Sequence, residues 1–91
     1  MKFSIITVVF NDVENIQKTI LSVKKQSYKN YEHVIIDGNS SDGTSEIIKN
    51  FSKDVRHFRK KDRSLYDAIN SGIKQIKGDI IFLLHSGDIF A

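Results

Sequence analysis

The fold is decided by the stretch His33-Val34-Ile35-Ile36-Asp37-Gly38-Asn39-Ser40-Ser41-Asp42-Gly43-Thr44. An apolar run rich in β-branched residues ends in a carboxylate, and a turn of Gly, Asn, Ser and Asp follows, which predicts a strand that leads into a helix. In α/β proteins, ligands such as nucleotides bind in the crevice outside the carboxyl ends of such strands. Asp37 is therefore a candidate binding residue, because its carboxylate can accept hydrogen bonds from a base or a ribose.

The turn after Asp37 matches neither of two common phosphate-binding motifs. Gly38 and Gly43 have the glycine spacing of a P-loop, but Thr44 stands where that motif has lysine, and Gly-x-Gly-x-x-Gly is absent. An ordinary strand-to-helix turn has the same composition, because Asn, Ser, Asp and Gly favour turns and caps. The turn alone leaves a binding loop and a purely structural turn both open.

The composition bounds the class of protein. The chain has 91 residues, a formal net charge of +3 and no cysteine, which allows one small domain without a disulfide framework or a cysteine metal site. The basic run from Arg56 to Arg63 is too short and too poor in aromatic residues to indicate a nucleic-acid site, so a solvated strand end is preferred. No apolar stretch approaches the roughly 20 residues of a membrane span, and the start resembles a strand more than a signal peptide. We expect a cytoplasmic location.

Strand and helix patterns alternate along the chain. Strands are predicted over residues 3–10, 31–37, 55–59 and 79–84. Helices are predicted from a capping box at Asn11 and Glu14 to about Gln26, after the Asp42-Gly43 turn, and from a cap at Ser64 and Asp67 to Gly78. This βαβαβαβ order predicts an α/β fold with a parallel sheet, helices on its faces and right-handed crossovers.

The last predicted strand contains the run Ile80–Leu84, which is apolar at every position. A strand of that kind expects cover on both faces, and at an exposed edge it promotes aggregation. We therefore expect the 91 residues to be the amino-terminal part of a larger fold. A small domain that covers this strand by oligomerising is the alternative.

Five segments in register resemble the family 2 glycosyltransferases of the GT-A fold. They are Thr7–Asn11, Leu21–Tyr28, Tyr31–Thr44, Tyr66–Gly72 and Gly78–Asp88. The resemblance covers nearly the whole chain and implies a Rossmann-like, mostly parallel sheet flanked by helices. In it, residues 1–91 form the nucleotide-sugar-binding part of one domain that is incomplete at its carboxyl end.

The activity that the resemblance implies is glycosyl transfer. The donor is a nucleotide-diphosphate sugar of the UDP or dTDP type, the acceptor is a saccharide or a lipid-linked molecule, and transfer usually proceeds with inversion. Cell-surface polysaccharide synthesis is the expected setting, in the cytoplasm or peripherally at the inner face of the membrane. The general base is expected beyond Ala91, so the 91-residue chain alone is expected to be inactive.

The resemblance also implies which residues bind the donor. The base is expected near Thr7, Phe10, Asn11, Asp37 and Gly38, with Asp37 accepting from a uracil or thymine imide. Asp67 and Asn70 are expected to line or brace the sugar-facing crevice. Structural interpretations stay open for three of these residues, with Thr7 as a strand residue, Asn11 as a cap and Asn70 as a helix residue.

Ser86-Gly87-Asp88 occupies the position of the family's metal-binding Asp-x-Asp motif. Only one carboxylate remains, so Asp88 is the expected ligand of a divalent cation, Mg²⁺ or Mn²⁺, with His85 as a further candidate. One protein carboxylate suffices if diphosphate oxygens and waters supply the other ligands. A metal-free site is the alternative.

A different class of protein also fits the predicted order of elements. A small flavodoxin-like or receiver-like binding module would bind a ligand without transferase activity. A receiver has an acidic pair at the end of its first strand, whereas Phe10-Asn11-Asp12 offers one acid. This module is the second hypothesis for function.

Overall fold

Strands and helices alternate over the part of the chain that the computed structural model describes, residues 1–60 and 65–87, without the side chains of residues 65 and 66. The strands are β1 (Phe3–Val9), β2 (Tyr31–Asp37), β3 (Arg56–Arg59) and β4 (Ile80–His85). The helices are α1 (Ile16–Lys25), α2 (Thr44–Lys49) and α3 (Leu65–Ile73). The predicted βαβαβαβ order is confirmed.

All strands of the described sheet are parallel, in the order β3-β2-β1-β4. This confirms the predicted parallel sheet. The order agrees with the first part of the Rossmann arrangement 3-2-1-4-5-6 and differs from the flavodoxin order 2-1-3-4-5. Because the direction of strand addition reverses between β1 and β4, the topological switch point lies there.

The sheet is covered by α1 and α2 on one face and by α3 on the other. The cluster under α1 and α2 consists of Val9, Ile16, Ile20, Ile35, Ile48 and Val55. The cluster under α3 consists of Ile6, Val8, Val34, Ile36 and Ala68. Since β1 and β2 contribute to both clusters, their nearly continuous apolar sequences are explained by burial on both faces.

Helix α1 begins later than the capping box predicted. It starts at Ile16, with Asn15 as the N-cap residue and no side-chain cap. Asn11 cannot cap this helix, because it takes a left-handed conformation with φ of 48° and bonds to the loop after β2. The predicted capping role of Asn11 is therefore wrong.

Helix α3 ends at Ile73 rather than at Gly78. The predicted cap at Ser64 lies outside the described residues. Gly78 instead donates its N–H to the Ser4 hydroxyl at 2.7 Å. A Cβ at Gly78 would lie 2.8 Å from the Ser4 nitrogen, so close backbone approach to β1 explains the glycine.

Glu32 connects the strands near their amino-terminal ends. Its carboxylate accepts hydrogen bonds from the Ser4 hydroxyl at 2.6 Å, from Arg56 Nη1 at 3.1 Å and from the Lys77 main chain. Burial raises the pKa of Glu32, but these hydrogen bonds outweigh it and hold the pKa below its usual value. Glu32 thus joins three strands to the connection between α3 and β4.

Strand β4 forms one edge of the described sheet, and its apolar side chains are partly open to solvent. Ile81, Phe82 and Leu83 are 50%, 37% and 43% exposed. The expectation that further chain covers this strand stays a prediction. Among the described residues, no helix has the length and apolar character needed to cross a membrane.

Candidate functional site

The carboxyl ends of β1, β2 and β4 meet at one edge of the sheet. Phe10 and Asn11 follow β1, Gly38 follows β2, and Ser86 and Gly87 follow β4. The crevice outside the switch point is where open α/β sheets bind ligands. The structure therefore brings the predicted site residues Phe10, Asn11 and Gly38 together at this edge of the sheet.

Phe10 is an exposed aromatic residue directly after the carboxyl end of β1. Its side chain is 64% exposed, although the strand residues before it are buried. A Cβ at Gly38 would lie 3.3 Å from Phe10 Cδ1, so the glycine leaves room for the ring beside the end of β2. An exposed ring in this position offers a flat apolar surface to a planar ligand.

Asp37 is fully buried, and its carboxylate is satisfied from within the chain. Oδ1 accepts the Ser40 main-chain N–H at 3.0 Å and the Ser40 hydroxyl at 2.6 Å, while Oδ2 accepts the Ser45 hydroxyl. Burial raises the pKa of Asp37, but these hydrogen bonds, with the nearby His57 ring, lower it below its ordinary value. Asp37 therefore stays ionised and organises the turn that follows it.

The loop after β1 and the turn after β2 are joined by side-chain hydrogen bonds. The Asn11 N–H donates to the Ser40 hydroxyl at 2.8 Å, and Asn11 Oδ1 accepts the Ser41 N–H at 2.8 Å. The Asp12 N–H donates to Thr44 Oγ1 at 3.1 Å. Asn11 thus fixes the position of two loops relative to each other.

Asp42 and Gly43 complete the turn at the start of α2. Asp42 accepts hydrogen bonds from the Thr44 hydroxyl, the Thr44 N–H and the Val13 N–H, and these hold its pKa below the ordinary value. Gly43 has φ of 101°, a conformation that side chains rarely adopt. Asp42 therefore stabilises the turn as an anion.

The loop after β4 is anchored to β1 and α1. The Ser86 N–H donates to the Val8 carbonyl at 3.2 Å, and the Gly87 N–H donates to Thr19 Oγ1 at 2.9 Å. An oxygen of the Asp12 carboxylate lies 4.0 Å from the position that a Cβ of Gly87 would occupy. The described residues contain no cluster of three or more His, Cys, Asp or Glu side chains able to hold a metal ion.

Other predicted site residues lie away from the crevice or outside the described residues. Thr7 is buried, and its hydroxyl lies 2.7 Å from His33 Nε2 inside the sheet. Asp67 is half-buried and Asn70 exposed on α3, on the other face of the sheet from α1 and α2. Asp88 lies outside the described residues. The binding roles of these residues stay predictions.

Three side chains around Asp37 were not predicted from the sequence. Ser40 and Ser45 follow the aspartate by three and eight positions, and an Asp-x-x-Ser sequence is itself a signal for a side-chain-stabilised turn. His57 lies with its Nε2 3.6 Å from Asp37 Oδ2. No sequence signal identifies His57, because the contact depends on the pairing of β2 with β3.

Comparison with known proteins identifies the class to which this fold and site belong. The family model described as Glycosyl transferase family 2 matches residues 4–91. The chain therefore belongs to glycosyl transferase family 2, which confirms the resemblance found in the sequence. The family and the observed strand order both argue against the second hypothesis, a flavodoxin-like or receiver-like module.

The chain is similar to one part of longer proteins. It is 37% identical over 90 residues to an uncharacterized glycosyltransferase of Mycobacterium tuberculosis, and the match covers 97% of this chain and 34% of the relative. The chain thus spans about a third of the length of the first curated relatives it matches.

Two solved structures share the fold. The mannosyltransferase PcManGT from Pyrobaculum calidifontis, in complex with GDP-Man and Mn²⁺, matches with a TM-score of 0.89 and 19% identity over 97% of this chain and 28% of its own. S. aureus TarS 1-349, in complex with UDP-GlcNAc, matches with a TM-score of 0.83 and 24% identity over 96% of this chain and 27% of its own. These likenesses confirm the predicted GT-A type of α/β fold.

Proposed function

We propose that this chain binds a nucleotide-diphosphate sugar in the crevice between β1 and β4, as the donor-binding part of a glycosyltransferase. The observation that carries the proposal is the exposed Phe10 ring, which follows β1 at the carboxyl edge of the sheet and lies beside Gly38. Stacking of a base on an aromatic ring contributes roughly 1–3 kcal/mol. The solved relatives in complex with UDP-GlcNAc and GDP-Man support a donor of this class.

The base is proposed to be uracil or thymine, with Asp37 as its recognition residue. A carboxylate has about four acceptor positions, and Ser40 and Ser45 use three of those of Asp37. The remaining position is on Oδ2, beside the His57 ring, whereas both positions of Oδ1 are taken by Ser40. An imide N–H that binds Oδ1 would therefore displace the Ser40 hydroxyl. In this proposal the Ser40 hydroxyl occupies the acceptor position on Asp37 that the base takes when the donor binds.

A divalent cation is proposed to bind between Asp88 and the donor diphosphate. Carboxylate oxygens suit a hard cation such as Mg²⁺ or Mn²⁺, and the Asp12 carboxylate lies near Gly87, the residue before Asp88. A bound cation would stabilise the charge that develops on the leaving diphosphate. Asp88 and Asp12 would hold it, and PcManGT, which was solved with Mn²⁺, supports its presence.

The acceptor side of the reaction is proposed from the family resemblance alone. We expect inverting transfer to a saccharide or lipid-linked acceptor in cell-surface polysaccharide synthesis, with a general base outside residues 1–91. A base is needed because the acceptor hydroxyl must lose its proton as it attacks the sugar. The cytoplasmic or peripheral membrane location also stays a prediction.

Calorimetric titration with UDP, dTDP, GDP and ADP tests the donor site. We expect UDP and dTDP to bind more tightly than the two purine nucleotides, and Phe10→Ala to weaken UDP binding about tenfold, the equivalent of one stacked base. Phe10→Leu is the matched control, because it keeps apolar bulk without a flat ring. Equal UDP affinity of the wild type and both variants would remove Phe10 from the site.

The metal proposal has its own test in Asp88→Asn. If Asp88 holds a cation that also touches the diphosphate, Mn²⁺ and UDP bind cooperatively, because each supplies ligands or charge to the other. The variant should then lose affinity for UDP in the presence of Mn²⁺ but little in the presence of a chelator. A wild-type protein that binds UDP equally with and without Mn²⁺ would rule the cation out.

A further inference from the structure

His57 lies beside Asp37 on the face of the sheet that carries α2. β2 and β3 are paired with Ile35 opposite His57 and Asp37 opposite Arg59. Nε2 of His57 is 3.6 Å from Asp37 Oδ2, which is too long for a hydrogen bond. Among the described residues this buried nitrogen has no hydrogen-bond partner. The acceptor position that Ser40 and Ser45 leave on Asp37 therefore faces a ring that does not quite reach it.

A chain of hydrogen bonds leads from Asp37 to the crevice. Asp37 Oδ1 accepts the Ser40 hydroxyl at 2.6 Å, and that hydroxyl oxygen accepts the Asn11 N–H at 2.8 Å. Asn11 directly follows the exposed Phe10. Two hydrogen bonds thus connect the Asp37 carboxylate to the loop that carries Phe10.

The charge of the His57 ring depends on groups from its own strand and from two neighbouring elements. Burial lowers the pKa of His57, Asp37 on β2 raises it, and Lys49 on α2 and Arg59 on β3 lower it, with a net shift below the ordinary value. The ring is therefore neutral at neutral pH and gains a proton on acidification. A charged ring attracts the Asp37 carboxylate far more strongly than a neutral ring does.

We propose that His57 is a positioning residue for the donor nucleotide, because a charged His57 ring draws the Asp37 carboxylate toward β3 and loosens its hold on Ser40, the residue that binds the Asn11 N–H. The nucleotide part of this inference rests on the proposed function. The contact between His57, Asp37 and the loop does not, so the two are tested separately.

The contact is tested by NMR on the ¹⁵N-labelled full chain without ligand, in a pH series that starts at about pH 7.5 and extends downward until the His57 ring has gained its proton. The amide signals of Ser40 and Asn11 should shift with the midpoint of the His57 ring. In His57→Gln, whose side chain is neutral throughout this range, these shifts should disappear. Amide shifts that persist in His57→Gln, or that do not follow the ring, would overturn the proposal.

The effect on the nucleotide is measured with UDP-GlcNAc at the two ends of the same pH range. We expect the affinity of the wild type for UDP-GlcNAc to fall about fivefold on acidification, within the usual range for coupled sites. The affinity of His57→Gln should be the same at both ends of the pH range. An equal fall in both proteins would overturn the positioning role. If neither protein binds at any pH, the proposed function fails and the nucleotide part of the inference fails with it, while the NMR result still decides the contact.

Discussion

At the scale of single residues, one buried carboxylate determines the shape of the loop beside the candidate site. The sequence predicted that Asp37 ends β2 and begins a turn, because its neighbours are turn-forming residues. It could not predict that the carboxylate faces inward to Ser45 and His57, since these contacts depend on how α2 and β3 pack. Asp37 therefore has a structural role in addition to the proposed binding role.

Asp37→Asn should lower both stability and UDP affinity. The amide keeps the size of the side chain but removes the charge, and hydrogen bonds to charged groups contribute roughly 1.5–3 kcal/mol. We expect the free energy of unfolding, measured with urea, to fall by about 2 kcal/mol for the same reason. A change within 0.5 kcal/mol, the range of ordinary surface substitutions, would contradict the buried hydrogen-bonded role.

The buried His33 ring should make the free energy of unfolding depend on pH. Burial lowers its pKa from 6.5 to about 4, and the ring lies against Thr7 in the sheet. Between these two values the unfolded chain binds a proton at His33 and the folded chain does not. The free energy of unfolding is therefore unaffected by His33 above about pH 6.5 and falls as the pH is lowered toward 4. The loss amounts to about 3 kcal/mol at 1.36 kcal/mol per pKa unit.

Urea unfolding at several pH values, in the wild type and in His33→Gln, measures this contribution. The glutamine amide can still bond to Thr7 but does not titrate, so the difference in stability between the two proteins should shrink or reverse on acidification. Parallel curves for the two proteins at all pH values would show that His33 is not the group responsible.

At the scale of elements, the sequence predicted the type and order of the strands and helices better than their ends. The apolar patterns of β1 and β2 are fixed by burial on both faces, so their positions follow from the sequence. The start of α1 does not, because Asn11 bonds across to Ser40 and Ser41 instead of capping the helix. A local pattern cannot report a contact with a loop that lies distant in the sequence.

Gly72→Ala should weaken the packing of α3 on the sheet. A Cβ at Gly72 would lie 2.6 Å from Ile6 Cγ2, a branched methyl in the buried core. Overpacking costs roughly 1–3 kcal/mol, while alanine gains about 1 kcal/mol over glycine in a helix, so we expect a net loss of about 1 kcal/mol. Thermal unfolding measures it, with Ser71→Ala on the same helix as the control. A more stable Gly72→Ala protein would show that α3 packs less closely.

At the scale of the whole molecule, the strand order is the feature that the sequence left open. Alternating patterns predicted a parallel sheet but not that β1 lies between β2 and β4, which locates the crevice. The strand order depends on how helices and strands pack on both faces of the sheet. The pattern of a single segment does not contain this information. The sequence patterns thus predicted a crevice at the carboxyl ends of the strands, and the strand order of the structure adds that it lies between β1 and β4.

The 91-residue chain should self-associate through β4. Ile81 and Leu83 are about half exposed on an edge strand, and such edges pair with other chains. We expect analytical ultracentrifugation to find dimers or larger species, and the double variant Ile81→Thr and Leu83→Thr to shift them toward monomer. Ile73→Thr, which changes an equally exposed residue on α3, is the control. A wild-type monomer at all concentrations would contradict this prediction.

The pairing of the first strand with the last also constrains when the sheet can form during synthesis. Phe3 pairs with Ile80, so one edge of β1 has no partner until β4 has left the ribosome. Contacts between segments so distant in the sequence slow folding, because a long loop must close before they form. A nascent chain that ends before residue 80 should therefore depend on chaperones that shield the open edge of β1.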